Sequence, residues 1–132
     1  MTNAAAIAAE LARRLANSHA PYSAVHVAAA VEGPDGTIHY GVNVENAAYP
    51  QGVCAEASAI SGAVTDGVKS IRRVWLASSL PDLIWPCGGC RQKIWEFAEP
   101  GGEVVSVGAD GASERHTIEA LLPLGFRLEP RG

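Results

Sequence analysis

Three cysteines constrain this chain more than any other feature. Two stand close together in PCGGCRQ (residues 86–92), and the third, Cys54, lies 33 residues upstream of Cys87 in VCAEASAI. An odd count argues against a disulfide scaffold and suits a reducing compartment, so the expectation is a cytoplasmic protein. Both stretches read as helix starts. CAEASAISGAVTDG has helical composition and ends at Gly67, a suitable residue just past a helix terminus. CGGCRQKIWEFA reads as a second helix, closed off by EPGG. The first turn of a helix leaves backbone N–H groups unsatisfied, and these stabilise thiolate. Three sulfurs gathered from two helix starts make three legs of a tetrahedral metal site.

The rest of the chain must bring those two starts together. Its 132 residues fit one compact domain, 1–132, with a real core; 48% hydrophobic and 18% charged residues are ordinary for a soluble globular protein. Formal net charge is −4 with no lysine/arginine cluster, which argues against a nucleic-acid partner. No stretch approaches the roughly 18 apolar residues of a membrane span. The alanine-rich start reads as an amphipathic helix over residues 2–19 rather than a signal peptide, and HAPYS stops it. VHVAAAVE (25–32) and TIHYGVNVE (37–45) form a hairpin around Asp35-Gly36. SIRRVWLAS (70–78) gives a third strand, and EVVSVGADG a fourth strand and turn. Thr117 caps a short last helix through IEALLP. Helix, hairpin, then alternating helix and strand suggest an α/β layered domain with helices on a mixed sheet.

Thiolate suits redox exchange and zinc equally. Structural zinc takes four protein ligands, whereas catalytic zinc keeps one position for water. There is no fourth cysteine, and His19, His26, His39 and His116 are scattered at no ligand-like spacing. An open zinc site is therefore the simpler reading, beside a structural zinc knuckle and a thioredoxin-like redox pair. Glu56 then acquires a role as the base that moves the water's proton. Positions i and i+2 do not share a helix face. Cys54 and Glu56 converge only if Cys54 lies at the cap, outside helical geometry. Taken alone, Glu56 is also simply favourable to the helix dipole. Asn43 and Glu45 alone read as a solvated strand face, and Phe126 alone as core. Arg91 is an exposed helix charge or a hydrogen-bond donor to a ligand sulfur. Trp75, Trp85 and Trp95 suit core or interface.

CAE followed by PCGGCRQ resembles the zinc-dependent cytidine deaminase family, homotetramers of the three-cysteine zinc type. NVENA (43–47) is similar to that family's ribose-binding stretch, and PYS (21–23) and LLPLGF (121–126) also match. The ordered set spans nearly the whole chain. The resemblance implies a three-layer α/β/α fold with a central mixed sheet and Zn²⁺ on Cys54, Cys87 and Cys90. It implies that Glu56 shuttles protons while cytidine or deoxycytidine is hydrolysed to uridine or deoxyuridine, with release of ammonia, in pyrimidine salvage. Substrate contacts would come from Asn43, Glu45, Ala55, Val25 and, in a neighbouring subunit's site, Phe126. Asn43 and Glu45, two apart, would share a strand face. The chain departs from the pattern at Ala57, where arginine commonly follows the glutamate. Charge compensation then falls to Arg91 and helix-terminus N–H groups. It departs also at Val25, where a phenylalanine stacks on the base, at Ala28, where the pattern has glycine, and at Pro50 after Tyr49. Such changes point to a substrate with a modified cytosine or another aminated heterocycle as the alternative, with a non-catalytic zinc-stabilised binding module as the other.

Overall fold

The computed structural model describes residues 3–130. Helix α1 (Ala4–Arg14) is capped by Asn3, whose Oδ1 accepts the Ala6 N–H at 3.0 Å. Arg13 and Arg14 occupy its last turn, where the carbonyl end favours cations, and both pair with Glu10. The helix is shorter than the expected 2–19. Thr2 lies outside the described residues, and residues 15–17 tighten into a 3₁₀ turn before His19.

Strands β1 (Val27–Glu32) and β2 (Ile38–Val42) form the expected hairpin, with Gly36 at φ +85° in the loop. Helix α2 (Ala55–Thr65) leads to β3 (Ile71–Ser78), and α3 (Gly88–Phe97) crosses from β3 to β4 (Ala98–Val107). Gly67, at φ +94°, follows the α2 cap as expected. With a last strand β5 (Ser113–Thr117), the sheet runs β2-β1-β3-β4-β5, with β3 and β4 parallel and the other neighbours antiparallel. Thr117 caps the short α4 (Ile118–Leu121) through its Oγ1, which accepts the Ala120 N–H.

Two expectations change. EPGG does not break the chain after α3; these residues already belong to β4, beside an irregular register at Ile71–Arg73. Strand β5 (Ser113–Thr117) was not anticipated, because SERHT is exposed throughout and has no apolar face. Backbone pairing with β4 creates it.

Side chains alternate across the sheet and fill both faces. Ala28, Ala30, Trp75 and Val105 pack against Ile7 and Leu11 of α1. Ala29, Val31, Val74, Leu76 and Val104 pack against Ala59 and Ile60 of α2, Ile94 of α3 and Ile118 of α4. The result is the three-layer α/β/α arrangement around a mixed sheet. Among the described residues no helix is long and apolar enough to cross a membrane.

One contact fixes where α2 begins. A Cβ at Gly41 on β2 would lie 2.4 Å from the Ala59 nitrogen and 2.8 Å from the Ala55 carbonyl oxygen. The glycine lets the first two turns of α2 rest directly on the strand.

Candidate metal centre and substrate pocket

Cys54 is the N-cap of α2 and Cys87 the N-cap of α3, each with extended backbone (φ −72°, ψ 155° and φ −64°, ψ 168°). Cys90 lies one turn into α3 and is buried. The non-helical cap geometry of Cys54 is the condition that lets it converge with Glu56. All three cysteines are free, and their sulfurs lie within 4.8 Å of one another. A tetrahedral zinc with bonds of about 2.3 Å sets its sulfurs about 3.8 Å apart, so a small contraction closes the set. Three sulfurs from three positions fit zinc with its fourth position open.

The third sulfur, from Cys54 on another helix, favours this over a redox pair, which needs only the two cysteines of α3. Burial pushes the Cys90 thiol well up, and the nearby Glu56 carboxylate and the other sulfurs add to it. Desolvation also raises Cys54. Only Cys87 is lowered, chiefly by the backbone N–H of Cys90, as suits a helix cap. Two of three thiols thus favour the neutral form until a divalent cation is present to ionise them.

Glu56 occupies the first turn of α2 and is 5% exposed. Burial raises its carboxyl pKa, opposed by its own backbone N–H and by the charge of Lys93. A carboxylate so placed holds and releases a proton nearer neutrality than a solvated one. Lys93 had no motif to single it out. Its Nζ lies 3.8 Å from the Cβ position of Gly89, and it lines the groove between α2 and α3 with Ala57. Arg91 takes a different part from the one expected. Its Nε donates to the Pro86 carbonyl at 2.7 Å and its Nη1 to the Leu121 carbonyl at 2.9 Å, rather than to a sulfur. A planar fork finds carbonyl oxygens better acceptors than thiols, and these bonds brace the segment that carries Cys87.

Asn43 and Glu45 lie beyond β2, which ends at Val42 instead of continuing to residue 45. Val44 between them leaves the hairpin to bridge His19 and Val53. Asn43 takes over the lost ladder: its Oδ1 accepts from the Val27 N–H (2.8 Å) and Ser18 Oγ (2.6 Å), and its Nδ2 donates to the Val25 carbonyl (2.9 Å). That bond uses one of the two Nδ2 hydrogens. Glu45 accepts the Tyr22 and Ser23 N–H groups at 3.0 and 3.1 Å, and the Ser23 hydroxyl. These bonds, led by the hydroxyl, hold its carboxyl below the usual range. Glu45 lines a cavity of about 340 Å³ with Tyr22, Ser23, Asn46, Tyr49 and Gly52. Tyr22 and Tyr49 meet edge to face at 6.0 Å. Neither tyrosine carries a chemical signature in the sequence beyond the place of Tyr22 in PYS.

Ala55 is buried at the start of α2, and Val25 is half-buried beside the Asn43 amide. Phe126 is not core; it stands 65% exposed. Trp75 is core on the α1 side of the sheet, whereas Trp85 and Trp95 pack half-buried against the core on the opposite face.

Residues 3–108 match the cytidine and deoxycytidylate deaminase zinc-binding region. A cytidine deaminase of Sporosarcina psychrophila is 38% identical over 121 residues, 92% of this chain and 89% of that protein. A probable cytidine deaminase of Dictyostelium discoideum is 42% identical over 113 residues, 85% of this chain and 76% of that protein. The crystal structure of cytidine deaminase from Burkholderia pseudomallei superposes with a TM-score of 0.88 at 31% identity, covering 95% of this chain and all of that one. Three converging thiols, a buried glutamate in the first turn of α2 and these likenesses agree: the chain belongs to the cytidine and deoxycytidylate deaminase zinc-binding family.

Proposed function

We propose that the chain is one catalytic domain that hydrolyses cytidine or deoxycytidine to the uracil nucleoside and ammonia. The observation that carries this is the meeting of Cys54, Cys87 and Cys90 beside the buried Glu56. Cys54, Cys87 and Cys90 would hold zinc, which when bound would supply the Lewis acidity for water activation near neutral pH. Glu56 accepts the proton that the attacking water loses and passes it to the ring nitrogen N3, then carries that oxygen's remaining proton to N4, which leaves as ammonia. The C4–N4 bond breaks and a C4–O bond replaces it. Burial suits the carboxyl to both halves of that transfer. Lys93 offsets part of the negative charge of three thiolates and a carboxylate, where the family pattern would use an arginine at position 57.

Sugar recognition falls to the other Nδ2 hydrogen of Asn43 and to Glu45 at the 340 Å³ cavity. Buried polar groups that expect hydroxyls reject compounds lacking them. Ala55 and Val25 border the base. Phe126, exposed in the single chain, lines the site of a neighbouring subunit in a homotetramer; the exposure of Leu124, Phe126 and Leu128 supports a covered surface there. The three free thiols support a cytoplasmic setting, and the reaction suits nucleoside salvage. An ammonia-release screen across nucleosides, with metal analysis of the same sample, tests the proposal. Cytidine turnover proportional to zinc content is expected; bound zinc with no nucleoside turned over would leave a zinc-stabilised binding module. Sedimentation of an active monomer would remove the shared site.

A further inference from the structure

Beyond α4 the chain carries no regular secondary structure from Gly125 to Pro130, yet it is tied to α3 at successive points. Gln92 grips the backbone of Phe126 from both sides: its Nε2 donates to the Phe126 carbonyl at 2.9 Å, and its Oε1 accepts the Phe126 N–H at 3.4 Å. The indole of Trp95 provides the floor. A Cβ at Gly125 would lie 2.7–2.8 Å from the Trp95 ring atoms Cε2, Nε1 and Cδ2, so only a glycine permits this approach. Arg127 completes the hold, with its guanidinium 4.5 Å from the Trp95 ring and its Nη2 donating to the Trp95 carbonyl at 2.9 Å. One turn earlier Arg91 bonds the Leu121 carbonyl. Arg91, Gln92 and Trp95 all stand on α3, the helix whose N-terminus carries Cys87 and Cys90. The backbone of residue 126 is therefore fixed while its ring stays 65% exposed.

We propose that Gln92 and Trp95 are positioning residues for substrate binding, which hold the segment 125–127 so that Phe126 is presented pre-formed to a neighbouring subunit's site. The inference rests on the role given to Phe126 above. An unheld tail would have to be ordered each time the substrate binds, and that entropy would weaken binding without touching the proton transfer. The same helix thus serves the metal at its first turn and the tail further along.

The test is steady-state kinetics on the zinc-loaded full chain as wild type, Phe126→Ala, Gln92→Leu and the double variant. Each single substitution is expected to raise KM for cytidine about tenfold with kcat nearly unchanged, the signature of lost binding common to ground and transition states. The double variant should be no worse than Phe126→Ala alone, because Gln92 acts through Phe126. Gly125→Ala offers an independent route, since its φ is not in the left-handed region and the three atoms nearest its Cβ position all belong to the Trp95 ring. It should raise KM likewise, with zinc content and sedimentation unchanged. Wild-type KM in Gln92→Leu and Gly125→Ala beside a raised KM in Phe126→Ala would remove the clasp and leave the role of Phe126 standing. Full additivity in the double variant would overturn the proposal too. Wild-type KM in Phe126→Ala would remove both.

Discussion

Adding one methyl group at Gly41 should damage this protein at its site although position 41 touches no substrate. The new Cβ would sit 2.4 Å from the Ala59 nitrogen, 2.8 Å from the Ala55 oxygen and 2.8 Å from the Ser58 Cβ. Ordinary contact needs about 3.5 Å, so α2 must withdraw by roughly 1 Å. Two of the three atoms are helix backbone, which no rotamer change can relieve. Overpacking of this kind costs about 1–3 kcal/mol, and the alanine returns about 0.5–1 kcal/mol of strand propensity. A net loss of about 1–2 kcal/mol corresponds to a Tm lower by roughly 3–10 °C for a chain of this size. The first turn of α2 carries Cys54 and Glu56, and a 1 Å misplacement at a reacting group can cost about 10²-fold. Thermal unfolding and kcat/KM for cytidine are measured on Gly41→Ala and on Gly62→Ala. Gly62 is in the same helix with nothing within 4 Å of its Cβ position. There the same methyl should stabilise the helix by about 1 kcal/mol and leave turnover intact. Gly41→Ala with wild-type Tm and kcat/KM would refute the argument that strand contact sets the position of α2.

Other expectations follow from the site itself. Glu56→Gln should keep its zinc, since Glu56 is not a ligand, but lose about 10²–10⁴-fold or more in kcat; a fully active variant would require another base. Replacing zinc with cobalt should give thiolate-to-metal charge-transfer absorption at about one metal per chain, and full activity in metal-free protein would contradict the site. Val25→Phe should raise the ratio of kcat/KM for cytidine over N4-methylcytidine, by filling the base pocket and adding a stacking face worth about 1–3 kcal/mol. An unchanged ratio would show that Val25 does not shape that pocket. Lys93→Met should weaken zinc retention against a chelator, because it removes the cation that acts on Glu56 beside the thiolates; unaltered retention would show that helix-terminus N–H groups suffice.

What the sequence determined by itself was the chemistry that local rules control. Both cysteine stretches open helices, Gly67 takes the left-handed conformation just past α2, and Thr117 caps α4. Each is settled within a few residues, by unsatisfied N–H groups, a missing Cβ or a short hydroxyl side chain. The cysteine count and the place of Glu56 beside them already implied an open metal site. Tertiary structure decided the rest. SERHT carries no strand pattern, and β5 exists because the edge of β4 offers it partners. TIHYGVNVE reads as one strand, yet Val44 turns away to His19 and Val53, and the Asn43 side chain stands in for the ladder it leaves. Arg91 points to two carbonyls that are 5 and 30 residues away in sequence. The charge of Lys93 on α3 acts on the Glu56 carboxyl of α2. Neither partner set is written within one element, because each depends on how α2, α3 and the tail are packed. A helix start can be read from its own residues; the distance between two helix starts is fixed only by the sheet beneath them, here through the bare Cα of Gly41.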